Sequence, residues 1–310
     1  MKTRDYVGID VAKDKLDFAI NTNKTRTFSN SEIGVAKAIK WLKEYAPNSP
    51  KIIIESTSWY HWIACLALSE ANYDVRLINP LITKKYQRSS IRDAKSDRID
   101  AFRLAEIGKL EPNLPKFFDS RETLKNKRFQ SLLKNLEKTK QRFSRSLNDA
   151  TKSFETLGVT MDLTALEEAL KSIETAITAC KKIIEETADD FACKIAETPG
   201  VSLFQASVLS TAIAGREFDS REKLVAFFGL DVRARQSGNW SGVSHLSKRG
   251  NAYYRKILFQ IGWSLKQHNE IFKEYYQRLI DNGKHYFTAV IATARKFLYY
   301  FFKVRVDFSL

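Results

Sequence analysis

Phe129, Leu133, Leu136, Lys140, Phe143, Leu147, Ala150, Phe154 and Leu157 recur at alternating intervals of four and three, an apolar stripe interrupted only by Lys140. Only an α-helix keeps such a heptad stripe on one side. After "GVTMD" a second stripe runs through Leu163, Leu166, Leu170, Ile173, Ile177, Cys180 and Ile184. Two long helices joined by a short Gly-containing turn make an antiparallel hairpin, about 35 to 45 Å long at ~1.5 Å per residue. Each stripe needs an apolar partner, which packing within the chain can supply and which a symmetric second subunit would extend into a larger bundle, so self-association as a homodimer or homotetramer is expected, with intramolecular packing as the alternative. Residues 116–192 are therefore read as a coiled-coil hairpin for oligomerisation, set between a first domain over 1–115 and a last over 193–310.

The first domain has another texture. "DYVGIDVA", "KLDFAIN" and "TRTFSN" read as three strands in a meander. A helix follows with an apolar stripe of Ile33, Ala36, Ile39 and Leu42, flanked by Trp41 and Tyr45 and ended by the prolines of "APNSP". Then come a buried strand "KIIIE", a helix "YHWIACLALSEA", a strand "YDVRLIN" and a helix opened by Pro80. Three strands, a helix, a strand, a helix, a strand and more helix is the order of the ribonuclease H-like α/β fold.

That order gives the acids a meaning. Asp10 lies within the first apolar strand and Glu55 ends "KIIIE". In a ribonuclease H-like sheet the first and fourth strands are neighbours, which brings these carboxylates together. In "AKSDRIDA", Asp97 and Asp100 stand three apart, on one side of a helix. Four gathered carboxylates repel unless hard cations neutralise them, and an all-oxygen set selects Mg²⁺ or Mn²⁺. Two such ions can activate and stabilise the oxygens of a phosphodiester displacement.

Lys and Arg outnumber Asp and Glu by 51 to 36, a net charge of +15 that favours a polyanionic partner. No apolar run reaches the ~18 residues of a spanning helix, and "MKTRDYVGID" lacks a signal-peptide core, so a cytoplasmic protein with no membrane partner is expected. Cys65, Cys180 and Cys193 are scattered and read as reduced packing residues. Basic residues concentrate in three places. Lys84, Lys85, Arg88 and Arg92 precede the Asp pair, with Lys95 and Arg98 beside it. Residues 121–157 carry ten Lys or Arg against four Asp or Glu. Arg233, Arg235, Lys248, Arg249, Arg255 and Lys256 surround the serines of "RQSGNWSGVSHLSKRGN". Trp59, Tyr60, Trp62, Trp240, Tyr253 and Tyr254 are candidate base-stacking groups or core residues. In the last domain "ETPGVSLFQASVLSTAIAG" reads as helix, Pro-Gly turn and helix, an arrangement that offers turn amides to phosphates. Two helices are expected to finish the chain.

"YVGIDVAKDKLD", "IIIEST", "NP…AKSDRIDA", "TPGVS…ASVLSTAI" and "FFGLDVRARQSGNWSGVSHLSKRGNAYYRK", in this order and at these distances, resemble the DEDD-type insertion-sequence transposases related to the pilin-gene inverting recombinases. The resemblance covers nearly the whole chain. It implies a Holliday-junction-resolvase-like (RuvC-like) domain in which Asp10, Glu55, Asp97 and Asp100 are the metal-binding tetrad. It further implies a coiled-coil middle and a mainly helical C-terminal transposase domain. A nucleophilic serine in a Ser-Gly motif after the "GL" turn falls on "QSG", hence Ser237; Ser241, in "WSG", is the alternative. Such a serine would conserve the phosphodiester energy in a covalent intermediate. The resemblance also implies a composite active site between subunits and a structured guide, the bridge RNA, pairing with donor and target DNA. Two other readings stay open from the residues alone: a junction-resolving or structure-specific nuclease using metal-activated water, and a non-catalytic nucleic-acid-binding protein.

Overall fold

The structure, a computed structural model, describes residues 5–20, 24–56, 59–87, 97–111, 113–233, 236–237, 240–241 and 245–308. The side chains of residues 87, 97, 98 and 233–245 lie outside that description. The chain divides into two compact units, residues 1–124 and 125–310.

The first unit is a mixed sheet with helices. Strands β1 (Tyr6–Val11), β2 (Lys15–Ile20) and β3 (Lys24–Ser29) form the antiparallel meander, followed by α1 (Glu32–Tyr45), β4 (Lys51–Glu55), α2 (Trp62–Glu70), β5 (Asp74–Ile78), α3 (Pro80–Gln87) and α4 (Asp97–Leu110). The strand order is β3-β2-β1-β4-β5, with β4 parallel to both β1 and β5. The first and fourth strands are therefore neighbours, as the element order predicts.

Alternation along the strands gives the sheet two unlike faces. Val7, Ile9, Leu16, Phe18, Ile52 and Ile54 join one cluster with Val35, Ala38, Trp41 and Leu42 of α1 and with α2. The opposite face meets α4, where Ile53 and Ile78 pack with Leu104 and Ile107. Ser31 caps α1, its hydroxyl accepting the Gly34 N–H at 3.1 Å. The buried stripe of α1 differs from the expected one: Ile33 is 71% exposed and Ala36 is exposed, while Val35, Ala38 and Trp41 turn inward. The apolar content of the helix permits either phase. The large residues of the sheet face select the one that buries Trp41 against Phe18 and Phe28.

The second unit is mostly helical. Helices α5 (Arg121–Leu157) and α6 (Thr164–Glu186) form the expected hairpin. Its antiparallel register is marked by Thr187 donating to Asn126 Oδ1 at 2.8 Å and by Lys140 meeting Glu174 at 2.7 Å. The lysine that interrupts the stripe thus pairs across the hairpin. Leu133, Cys180 and Ile184 are buried, whereas the stripe near the turn is only half-buried and Leu157 is exposed.

Helices α7 (Asp190–Ala196), α8 (Leu203–Ile213) and α9 (Arg221–Phe228) follow, α8 running through the core and opened by a Ser202–Gln205 capping box. Four two-residue strands, β6 (Val232–Arg233), β7 (Gln236–Ser237), β8 (Trp240–Ser241) and β9 (His245–Leu246), lie between α9 and α10 (Ala252–His268). Helices α11 (Glu270–Asp281) and α12 (Tyr286–Phe308) complete the chain. Three helices, not two, finish it, because Asn269 both ends α10 and caps α11, taking the Phe272 N–H. Cys65 and Cys180 are buried and free; Cys193 is free but exposed, so it is not the packing residue expected.

Candidate active site

Asp10 and Glu55 are brought together by strand register. The β1–β4 ladder pairs Ile9 with Ile54, so the next residues along both strands stand side by side at their C-terminal ends. Alternation puts Asp10 on the face of Gly8 and Glu55 on the face of Ile53, the side covered by α4. Asp100 lies one turn into α4, whose first residue is Asp97. Asp10, Glu55 and Asp100 line one cavity of about 230 Å³, with Tyr86, Arg103 and Glu106. All three carboxylates are half-buried, which spares them the cost of full dehydration.

Small residues seat α4 close to the sheet. A Cβ on Gly8 would stand 1.8 Å from the Ala101 carbonyl oxygen and 2.6 Å from the Ala105 nitrogen. The helix backbone therefore rests directly on β1, at the turn carrying Asp100. The sequence reading missed this, although the signal is present: a glycine two residues before Asp10, and Ala101, Ala105 and Gly108 at helical spacing.

Several acids at and around this site have defined partners. Arg103 donates to Asp100 at 3.1 Å, and Lys109 holds Glu106 at 2.5 Å. Asp17 stands opposite Asp10 in the β1–β2 ladder. It is nearly enclosed, accepting the Thr27 hydroxyl at 2.5 Å with the Lys15 ammonium at 3.4 Å, so its charge is answered locally. Tyr86 donates to Glu111 at 2.7 Å, linking α3 to the residue that follows α4, and that bond raises the Tyr86 pKa above its ordinary value. The cavity gathers oxygen donors suited to a hard cation. Among the described residues, no three His, Cys, Asp or Glu side chains converge closely enough to hold a metal ion.

The segment with the candidate serines is closed at its base. Gly229, at φ +71°, ends α9, and a Cβ there would stand 2.5 Å from the Gly250 nitrogen. Ser247 N–H donates to the Asp231 carbonyl at 2.9 Å, and the Ser247 hydroxyl binds the Asp231 carboxylate. The chain thus leaves and returns at one point. Between these ends Ser237 is paired with Trp240 and Ser241 with Gln236, so both serines belong to one short ladder. Their hydroxyls are among the side chains not described. Of the basic residues, Lys84 and Lys85 are exposed on α3, and Lys248 and Arg249 are exposed before α10. Arg255 donates to the Gly250 carbonyl, bracing the same closure. Arg233 is placed by its backbone alone, and Arg88, Arg92 and Arg235 lie outside the described residues. Tyr253 is buried, which removes it from the stacking candidates, while Trp59 is 42% exposed.

Residues 7–151 match a family model for DEDD enzymes of IS110 elements, described as Transposase. Residues 192–277 match another, described as Transposase IS116/IS110/IS902 family. Together the two stretches take in about three quarters of the chain, the first including the carboxylate cavity and the second the serine segment. No curated protein matches it. No described helix is long and apolar enough to cross a membrane. Carrying both models of one transposase family in order, the chain belongs to the IS110 family of insertion-sequence transposases.

Proposed function

We propose that this transposase is an RNA-guided recombinase that inserts and excises its own mobile element. Ser237 is its nucleophile, and Asp10, Glu55, Asp97 and Asp100 form its metal site. The observation that carries the reading is the meeting of Asp10, Glu55 and Asp100 at one cavity, on strand ends and a helix far apart in sequence. To hold Mg²⁺ or Mn²⁺ these carboxylates would have to draw closer than they stand here and be joined by Asp97; the ion would then supply charge stabilisation at the reacting phosphate. The seryl oxygen attacks phosphorus as a deoxyribose oxygen leaves. One phosphoester replaces another, so rejoining needs no ATP. Ser241, in the same short ladder, is the alternative nucleophile.

The three-part division into 1–115, 116–192 and 193–310 belongs to the same proposal: a ribonuclease H-like (RuvC-like) domain, a coiled coil and a transposase domain. The strand order supports the first part. The half-buried stripe near the hairpin turn supports a homodimer or homotetramer. A structured guide RNA fits the excess of positive charge, and the chemistry links the protein to the pilin-gene inverting recombinases. Its place is the cytoplasm.

The test is covalent capture on labelled junction DNA with guide RNA and Mg²⁺, resolved under denaturing conditions. The expected result is a protein–DNA adduct that disappears in Ser237→Ala and, separately, on chelation of the metal. A second reading, a junction endonuclease with water as nucleophile, draws on the cavity lining, which among the described residues comes from positions 10–110 and includes no serine. Cleavage without an adduct, unchanged in Ser237→Ala, would establish that reading instead.

A further inference from the structure

Where α5 passes the first turn of α10, Lys127, Gln130 and Lys134 line a cavity of about 120 Å³ with Asn251 and Tyr253. Two of these side chains are enclosed, Gln130 at 4% exposure and Tyr253 at 6%. Neither Gln130 Nε2 nor the Tyr253 hydroxyl has a hydrogen-bond partner. Buried polar atoms are nearly always paired, so two orphans at one cavity call for a ligand.

Their chemistry specifies it. An amide Nε2 only donates. Burial and the negative charge of Glu137 push the Tyr253 pKa above its ordinary value, so its hydroxyl keeps a proton to donate. Asn251 is the N-cap of α10, its side chain taking the Tyr253 N–H at 2.9 Å, so the positive end of a 17-residue helix lies at the same place. Lys127 and Lys134 add cationic charge. Two donors, a helix N-terminus and two lysines select an anion with several acceptor oxygens. The cavity shares Lys134 and Tyr253 with a wider groove of about 830 Å³ bearing Lys138, Arg145 and Lys181. The groove's acid, Glu137, is bound to Lys256 at 2.6 Å.

We propose that this small cavity anchors one phosphodiester group of a nucleic-acid strand, whose neighbouring phosphates follow the basic groove along α5. The proposal rests on the transposase reading only for the presence of nucleic acid, and it does not depend on the serine chemistry.

The test uses the full-length protein and fluorescence anisotropy over a salt series, with a DNA duplex in one arm and an RNA stem of the same sequence in the other. Tyr253→Phe and Gln130→Leu are each expected to weaken binding about tenfold, the scale of one hydrogen bond to a charged group. Lys134→Ala should lower the slope of log K against log salt by about one. Because the first two variants delete unpartnered atoms, their thermal midpoints should stay level or rise. A loss confined to one arm assigns the anchor to DNA or to RNA, and equal loss in both identifies a site for the shared backbone. Wild-type affinity and salt slope in both arms, or a lowered midpoint with unchanged affinity, would overturn the proposal. Adduct formation in the same variants reports separately on the serine chemistry, so the two readings fail independently.

Discussion

The two faces of the N-terminal sheet are built from the same strands by opposite rules. Toward α1 and α2 every inward position is a bulky apolar residue, and Phe18 meets Phe28 and Trp41 at ring distances of 5.3 and 6.3 Å. Toward α4 the strands present the small or acidic Gly8, Asp10, Asp17, Ala19 and Glu55, beside the apolar Ile53 and Ile78. The first face holds the unit together by buried area. The second gives up area for closeness, seating a helix backbone on a strand so that carboxylates from separate segments share one cavity. Stability and the geometry of the carboxylate cavity therefore have different sensitive positions a residue apart.

Substitutions on alternate residues probe that division. Phe18→Ala, on the bulky face, is expected to cost about 3–5 kcal/mol in chemical denaturation, with recombination per folded molecule retained. Gly8→Ala, on the close-packed face, should cost about 1–3 kcal/mol, because a methyl group cannot coexist with the Ala101 carbonyl unless α4 shifts. With the carboxylates acting as proposed, its strand-transfer rate should fall at least ~10²-fold, since a displacement of about an ångström at a group of that kind suffices for the loss. Retained activity in Gly8→Ala would break the comparison. Asp10→Asn should change stability by about 1 kcal/mol or less while abolishing strand transfer, the reverse pattern from Phe18→Ala. Ile33→Ser lies on the exposed side of α1 and should stay within ~0.5 kcal/mol of wild type by thermal denaturation. A larger loss would restore the stripe expected from sequence.

Much of this was readable without coordinates. The alternation of "YVGIDV" and "KLDFAI" marks both strands and both faces, and the positions of Asp10 and Glu55 at strand ends follow from the element order. The hairpin was equally legible, since a heptad stripe of that length has one regular solution. The phase of α1 was not, because Ile33 and Ala36 are as apolar as Val35 and Ala38, and only the partner surface distinguishes them. Asn269 was hidden for a related reason: an asparagine inside a helical pattern acts as a cap only where the chain turns.

Local order along this chain came from periodicity, caps and turn residues, interactions that span a few residues and are written in consecutive letters. The tertiary structure alone decided that α4 lies against Gly8, that Gly229 meets Gly250, and that Gln130 and Tyr253 line one cavity, each with a buried polar atom that has no partner. These are contacts between residues up to 123 positions apart in the numbering, set by which surfaces fit once the helices and strands exist. No spacing in the sequence encodes them, because steric fit and the pairing of buried polar atoms are properties of assembled surfaces.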